Sequence, residues 1–156
     1  MKLAPCLWFA SEAEEAARFY ASLLPDSRID HVRRPAAETP GRTPGDVLAV
    51  EFTLAGAPMI AINGGTPAEY TNALSLTAVC EDQAELDRVW DALADGGTPQ
   101  RCGWLTDRYG VPWQVVPDGL NDMLAGANPA QTERVMAAML DMAKLDIAAL
   151  QRAFDG

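Results

Sequence analysis

The sequence has little of what metal-binding, disulfide-bonded and membrane-spanning proteins need. It contains one histidine, His31, and its three cysteines have no C-x-x-C spacing, which fits neither a disulfide framework nor a zinc knuckle. No apolar run approaches the roughly 18 residues of a membrane span, and the first residues lack the apolar core of a signal peptide. We therefore expect a soluble, cytoplasmic protein with reduced thiols and no membrane partner.

Positive charge is also scarce. The 12 lysines and arginines are outnumbered by 22 aspartates and glutamates, which gives a formal net charge of −10. A surface this negative repels phosphate backbones, so we expect no nucleic-acid partner. With 156 residues, 49% of them apolar, the chain is long enough to bury a sizeable core. This size predicts a single domain over residues 1–156.

One strand–helix pattern occurs twice in the sequence. Residues 7–9 form a short apolar run typical of a buried strand, and Ser11 then predicts the cap of an amphipathic helix that ends at Pro25. The same order returns at residues 76–80, where an apolar strand precedes an amphipathic helix that ends at Gly96. We interpret the two segments as copies of one unit.

A hairpin completes each copy. Residues 56–62, GAPMIAI, correspond to residues 110–116, GVPWQVV, and both are typical of a turn followed by its returning strand. Alternating apolar residues over 48–54 supply the outgoing strand of the first hairpin. Each copy is therefore predicted as β-α-β-β-β, the first over residues 1–66 and the second over residues 72–117.

Two segments lie outside this repeat. The Pro- and Gly-rich residues 34–46 predict an insertion in the first copy, and residues 118–156 form a helical extension. The longest predicted helix of the extension has an apolar stripe made of Met136, Met139 and Leu140. Flexible methionines suit a partner surface, so we predict a homodimer, with packing of the stripe on its own sheet as the alternative.

A tandem β-α-β-β-β unit resembles the vicinal oxygen chelate superfamily, which includes glyoxalases, bleomycin resistance proteins and extradiol dioxygenases. Residues 102–117, CGWLTDRYGVPWQVVP, together with residues 7–9 and the turn at 63–65, are similar to its PhnB-like branch. The resemblance implies an α+β protein of the glyoxalase/bleomycin resistance/dihydroxybiphenyl dioxygenase fold. In this fold, tandem βαβββ modules form a cupped mixed sheet around a cavity, here with C-terminal helices added.

Many sequences of this branch carry a 3-demethylubiquinone methyltransferase label. A common S-adenosylmethionine site needs a strand, a Gly-rich turn and a helix within a doubly wound sheet. No G-x-G-x-x-G motif follows a strand in this sequence, so we do not expect methyl transfer.

The superfamily's enzymes hold a divalent metal at the start of each module's first strand and on each module's last strand. The resemblance places these positions at Pro5, Ile60, Ser75 and Gln114. Proline and isoleucine have no side-chain ligand atom, and serine and glutamine are weak ligands compared with histidine or a carboxylate. We therefore predict no metal at these positions and no other cofactor.

Polar and aromatic residues near the expected cavity are the candidate ligand contacts, namely Glu51, Asn63, Trp104, Asp107, Arg108 and Gln114. Gln114 is expected to face the cavity, where its amide can donate and accept hydrogen bonds, with a structural role as the alternative. Trp104 is expected to stack on a planar ligand, although strand aromatics commonly lie in the core. Glu51 is either a general base with a raised pKa or an exposed strand carboxylate.

The remaining candidates also have two interpretations. Asp107 and Arg108 either contact a substrate or form a turn cap and an ion pair within the module. Residues 63–65 either offer backbone N–H groups to an anion or form a turn that links the modules.

These observations favour a small-molecule binding protein with an apolar cup and no metal, as in the superfamily's antibiotic-binding members. The alternative is an enzyme of lyase, isomerase or dioxygenase type that uses Glu51, Gln114 or Asp107 as acid or base, or recruits a divalent metal through oxygen ligands. A third hypothesis is a structural protein whose own side chains fill the cup.

Overall fold

The computed structural model describes residue 1 and residues 3–35, 45–125 and 128–156. Most of the predicted insertion at residues 34–46 lies outside these ranges. The chain divides into two compact units, Met1–Glu69 and Tyr70–Gly156, and each contains a four-stranded sheet. None of the helices formed by the described residues is long and apolar enough to cross a membrane.

The first unit is a β-α-β-β-β module. Its elements in chain order are β1 (Cys6–Phe9), α1 (Ala13–Leu23), β2 (Arg28–Arg33), β3 (Ala49–Leu54) and β4 (Ala57–Asn63). The strand order in the sheet is β1-β4-β3-β2, with β1 parallel to β4 and the other pairs antiparallel. The topology predicted for the first copy is therefore confirmed.

Helix α1 covers one face of this sheet. Successive side chains of a strand point to opposite faces, so Leu7 and Phe9 of β1 are buried while Cys6 and Trp8 are exposed on the other side. On the covered face, Tyr20 of α1 is completely buried, as expected of the apolar stripe of an amphipathic helix.

The beginning of α1 corrects one prediction. Ser11 does not cap the helix. The N-cap residue is Glu12, and among the described contacts its side chain makes no capping hydrogen bond. Instead, Asn63 at the end of β4 accepts a hydrogen bond from the Ala13 N–H through Oδ1 at 2.9 Å. Its Nδ2 donates to the Val47 carbonyl at 3.0 Å, so this buried side chain joins the helix to the sheet.

The second unit repeats the module. Its elements are β5 (Leu76–Cys80), α2 (Gln83–Ala94), β6 (Thr98–Pro99), β7 (Trp104–Thr106) and β8 (Pro112–Pro117). The strand order is β5-β8-β7-β6, again with one parallel pair, β5 with β8. Asp82 caps α2 by accepting the Glu85 N–H at 2.8 Å. The predicted apolar stripe of α2 is confirmed as buried: Leu86, Val89, Trp90 and Leu93.

Three helices follow β8 and belong to the same unit: α3 (Leu120–Ala125), α4 (Pro129–Leu140) and α5 (Ile147–Asp155). The predicted caps are confirmed, because Asn128 begins α4 with a capping box to Gln131, and Asp146 accepts the Ala149 N–H ahead of α5.

The connection between α4 and α5 is fixed to the sheet by backbone hydrogen bonds. The N–H groups of Cys102 and Gly103 donate to the carbonyls of Met142 and Ala143, both at 2.8 Å. Gly103 has a φ of +79°, and a Cβ there would lie 2.7 Å from the Val115 carbonyl oxygen, so only glycine fits this position.

A second set of contacts ties the same connection to α2. Gln83 donates through Nε2 to the Leu145 carbonyl at 3.1 Å and accepts the Ile147 N–H through Oε1 at 2.8 Å. Lys144 Nζ lies 2.7 Å from Asp91, and this hydrogen bond raises the pKa of the lysine. The C-terminal helices are therefore built into the second unit.

Mutation can show whether Asn63 or Ser11 caps α1. Asn63→Ala leaves the Ala13 N–H and the Val47 carbonyl without their partner, so we expect the free energy of unfolding to fall by about 2 to 4 kcal/mol. Ser11→Ala should change it by less than about 0.5 kcal/mol, because Ser11 is exposed and is not the N-cap. Urea unfolding followed by circular dichroism measures both, and equal losses would show that the cap is assigned to the wrong residue.

Candidate functional site

The open face of the second sheet carries the candidate site. Ala78, Trp113 and Val115 are buried on the face that α2 covers. The strand register then places Thr77 of β5, Gln114 of β8 and Trp104 of β7 in one row on the opposite face, because Gln114 pairs with both of the other residues.

This face forms the floor of a pocket of about 600 Å³. Val79 and Val116 add apolar area beside the row of Thr77, Gln114 and Trp104, and the register pairs these two valines across β5 and β8. The other wall comes from α3 and α4, through Leu120, Asn121, Leu124 and Met139. The pocket therefore combines apolar side chains with a similar share of hydrogen-bonding groups.

Gln114 is held in place by one hydrogen bond. Its Nε2 donates to the Ser75 hydroxyl at 2.9 Å. A glutamine amide can make further hydrogen bonds through its carbonyl oxygen and second N–H, so this contact orients the side chain and leaves it capacity for a ligand. Gln114 is therefore both a hydrogen-bond partner of Ser75 and a residue of the pocket lining.

The four predicted metal positions are neighbours in pairs, one pair in each unit. Ser75 contacts Gln114, and the Ile60 N–H donates to the Pro5 carbonyl at 2.9 Å. The residues present do not fit a divalent metal, because one pair has no side-chain donor and the other consists of two neutral groups bonded to each other. The described residues also contain no group of three or more His, Cys, Asp or Glu that could hold a metal ion.

Asp107 organises the turn between β7 and β8. Its carboxylate is buried and accepts the N–H groups of Tyr109 and Val111 through Oδ1 at 2.8 and 3.0 Å. Its Oδ2 accepts the indole N–H of Trp113 at 2.9 Å. The neighbouring Arg108 forms an ion pair with Asp95 at 2.8 Å. These contacts support the interpretation of a turn cap and an ion pair for these two residues.

The other candidates lie in the first unit. Glu51 is exposed on β3, and its Oε1 lies 2.7 Å from Arg33 Nη2, which supports the interpretation of an exposed strand carboxylate. The N–H groups of residues 63–65 donate to the carbonyls of Leu48, Phe9 and Ala10. Because these groups are already used inside the unit, the contacts support a turn rather than an anion site.

The three cysteines are free thiols in different surroundings. Cys6 is exposed, Cys80 is buried, and Cys102 is half-buried in the lining of the pocket. Burial raises the pKa of Cys80 to about 11, so this thiol is protonated at neutral pH and reacts slowly with electrophiles.

Part of the pocket lining was not among the predicted candidates. Thr77 and Val79 could have been found from the alternation of residues 76–80, which predicts that every second side chain faces away from α2. Leu120, Leu124 and Met139 carried no such signal, because a helical apolar stripe does not show which surface it contacts.

Comparison with known proteins identifies the family. Residues 1–116 match the family described as 3-demethylubiquinone-9 3-methyltransferase. A PhnB protein from Bacillus cereus is 34% identical with a TM-score of 0.67, and the match covers 74% of this chain and 99% of that chain. A Pseudomonas aeruginosa protein is 22% identical with a TM-score of 0.59, covering 76% of this chain and 99% of that chain. No curated protein matches the sequence.

The chain belongs to the 3-demethylubiquinone-9 3-methyltransferase family. Within this family it is a member of the PhnB-like branch, and each of its two units has the β-α-β-β-β topology that the resemblance implies. The resemblance noted in the sequence is thereby confirmed.

The metal prediction can be tested directly. Protein purified without a metal-affinity step and dialysed should contain well under about 0.1 equivalent of zinc, nickel, iron or manganese by mass spectrometry, because the paired positions supply only neutral donors. Gln114→Ala serves as the control and should leave the metal content unchanged. About one equivalent of metal that survives dialysis and falls in the Gln114→Ala variant would contradict the prediction.

Proposed function

We propose that this protein binds a small organic molecule in the pocket of the second unit, without the superfamily's metal site. The observation that carries the proposal is that Trp104 and Gln114 line one pocket of about 600 Å³. Small-molecule sites have volumes of roughly 300 to 1,000 Å³ and place a few polar groups on a largely apolar surface. Trp104 offers a ring for stacking, and Gln114 offers an amide whose orientation is set by Ser75.

Methyl transfer, the activity that the family's description names, does not fit the strand arrangement of the described residues. In each described sheet one strand pair is parallel and two are antiparallel. The common S-adenosylmethionine site belongs to a doubly wound parallel sheet, where a Gly-rich turn leads from a strand into a helix. Neither described sheet has that architecture.

Acid–base catalysis receives less support from the side-chain contacts. Asp107 is occupied by three N–H donors of its own module, and the carboxylate of Glu51 is paired with Arg33. Neither residue lines the pocket that contains Gln114, although Glu51 lines a separate pocket of about 680 Å³ in the first unit. Binding is therefore the function that the geometry supports best.

Three alanine variants should distinguish residues that contact the ligand from a residue that only stabilises the fold. For a ligand found by thermal-shift screening, Trp104→Ala and Gln114→Ala should each weaken the affinity by about ten-fold or more, because each removes a pocket contact. Trp90→Ala should leave the affinity unchanged and lower the free energy of unfolding by about 3 to 5 kcal/mol, because Trp90 is buried on α2. Isothermal titration at matched folded fraction makes the comparison, and equal losses in all three variants would refute the site.

The homodimer stays a prediction. On α4, Met136 and Leu140 are 38% and 48% exposed, whereas Met139 is half-buried in the pocket lining. If the exposed pair forms the interface, Leu140→Glu should shift a dimer toward monomer in sedimentation, while Ala148→Glu at an exposed position of α5 should not. A species of 16.7 kDa at all micromolar concentrations would show that the wild-type protein is a monomer.

A further inference from the structure

The two walls of the pocket come from different parts of the chain. The floor, with Trp104 and Gln114, lies within the residues that match the family, which end at residue 116. The opposite wall, with Leu120, Leu124 and Met139, lies entirely after that point. The pocket therefore depends on residues that the family match does not include.

The position of this second wall is fixed by the sheet. Helix α4 ends at Leu140, and the carbonyls of Met142 and Ala143 immediately after it accept the N–H groups of Cys102 and Gly103. Leu145 is completely buried in the same unit. Because Cys102 itself lines the pocket, these bonds hold the end of α4 beside the floor and set the place of Met139.

The charge of the pocket also comes from the extension. Among the described residues, Asp118 and Asp122 are the only charged side chains in the lining, and both are exposed. Arg101 precedes Cys102 in the chain but does not line the pocket. A carboxylate or phosphate bound here would lose water without gaining a positively charged partner, and it would lie near two like charges.

We propose that the C-terminal extension is the specificity-determining wall of the pocket, and that it restricts the ligand to a flat aromatic molecule that is neutral or positively charged. This inference rests on the proposed function, because it assumes that the pocket binds a ligand. The ring of the ligand lies against Trp104 and the Met139 thioether, and methionine sulfur packs favourably on aromatic rings. A positive group on the ligand is attracted by Asp118 and Asp122.

Cys102 provides a reporter inside the pocket. In a Cys6→Ser background, alkylation by iodoacetamide followed by intact mass spectrometry measures the accessibility of Cys102. Cys80 reacts slowly because it is buried and its pKa is raised to about 11. Three probes of matched shape then test the charge preference: 2-naphthylmethylamine, 2-naphthalenemethanol and 2-naphthoate.

The amine and the alcohol should slow the alkylation of Cys102 in proportion to their occupancy of the pocket. The half-protecting concentration of the naphthoate should be at least about ten-fold higher than that of the amine at low salt. In the Asp118→Asn/Asp122→Asn double variant the half-protecting concentrations of the amine and the naphthoate should no longer differ ten-fold. The half-protecting concentration of the alcohol should stay the same. Both substitutions are at exposed positions, so the variant should fold like the wild type.

Two methionines of α4 test the wall. Met139→Ala should raise the half-protecting concentration of all three probes by about five-fold or more, because it removes part of the apolar wall. Met136→Ala is the matched control on the same helix, since Met136 is exposed and outside the lining, and it should have no effect. If Met139→Ala lowers the thermal midpoint of unfolding, Leu124→Ala repeats the test at a second half-buried position of the wall.

The outcomes separate the inference from the proposed function. No protection of Cys102 by any probe in the wild type would overturn the inference of a flat aromatic ligand, whereas the proposed function is tested by the Trp104→Ala and Gln114→Ala variants with a ligand found by screening. Protection that is unchanged in Met139→Ala and Leu124→Ala would overturn the role of the extension and leave the proposed function standing. Protection by the naphthoate equal to that by the amine would overturn the charge preference alone.

Discussion

A four-stranded sheet covered by one helix buries only one of its faces, and the rest of this structure depends on that constraint. Side chains alternate along each strand, so every second residue is directed away from the covering helix. In the second unit this alternation places Gln114 of β8 away from α2 while its neighbour Trp113 is completely buried. An open face that carries polar and aromatic side chains becomes one side of a pocket once a further element bounds it. Helices α3 and α4 supply that boundary.

Buried polar groups elsewhere in the chain stabilise each module from within, because a buried group without a hydrogen-bond partner is costly. Asn63 satisfies the first N–H of α1 and a carbonyl ahead of β3. Asp107 satisfies two backbone N–H groups and an indole N–H in the turn before β8. Both residues have the chemistry of ligand contacts, but their hydrogen bonds place them in the framework.

The positions at which the resemblance places a metal hold neutral groups in this chain. Where a metal site would have histidines or carboxylates, the second unit has a hydroxyl accepting a hydrogen bond from an amide, and the first unit has proline beside isoleucine. A neutral amide cannot replace the charge of a carboxylate ligand, but it can direct hydrogen bonds toward an organic molecule. Of the four positions, only Gln114 and Ser75 have side chains that form hydrogen bonds.

The sequence by itself determined the repeated β-α-β-β-β pattern, the buried stripe of α2, the caps at Asn128 and Asp146, and the family. These features follow from spacing within one element or from similarity along the chain, so no distant contact is needed to find them. Only the tertiary structure decided that Asn63, fifty residues away, replaces Ser11 at the start of α1, and that Met139 forms a pocket wall with Trp104 and Gln114. Local patterns show that a residue is apolar or able to form hydrogen bonds. Which partner it meets is decided by the packing of segments that are far apart in the sequence.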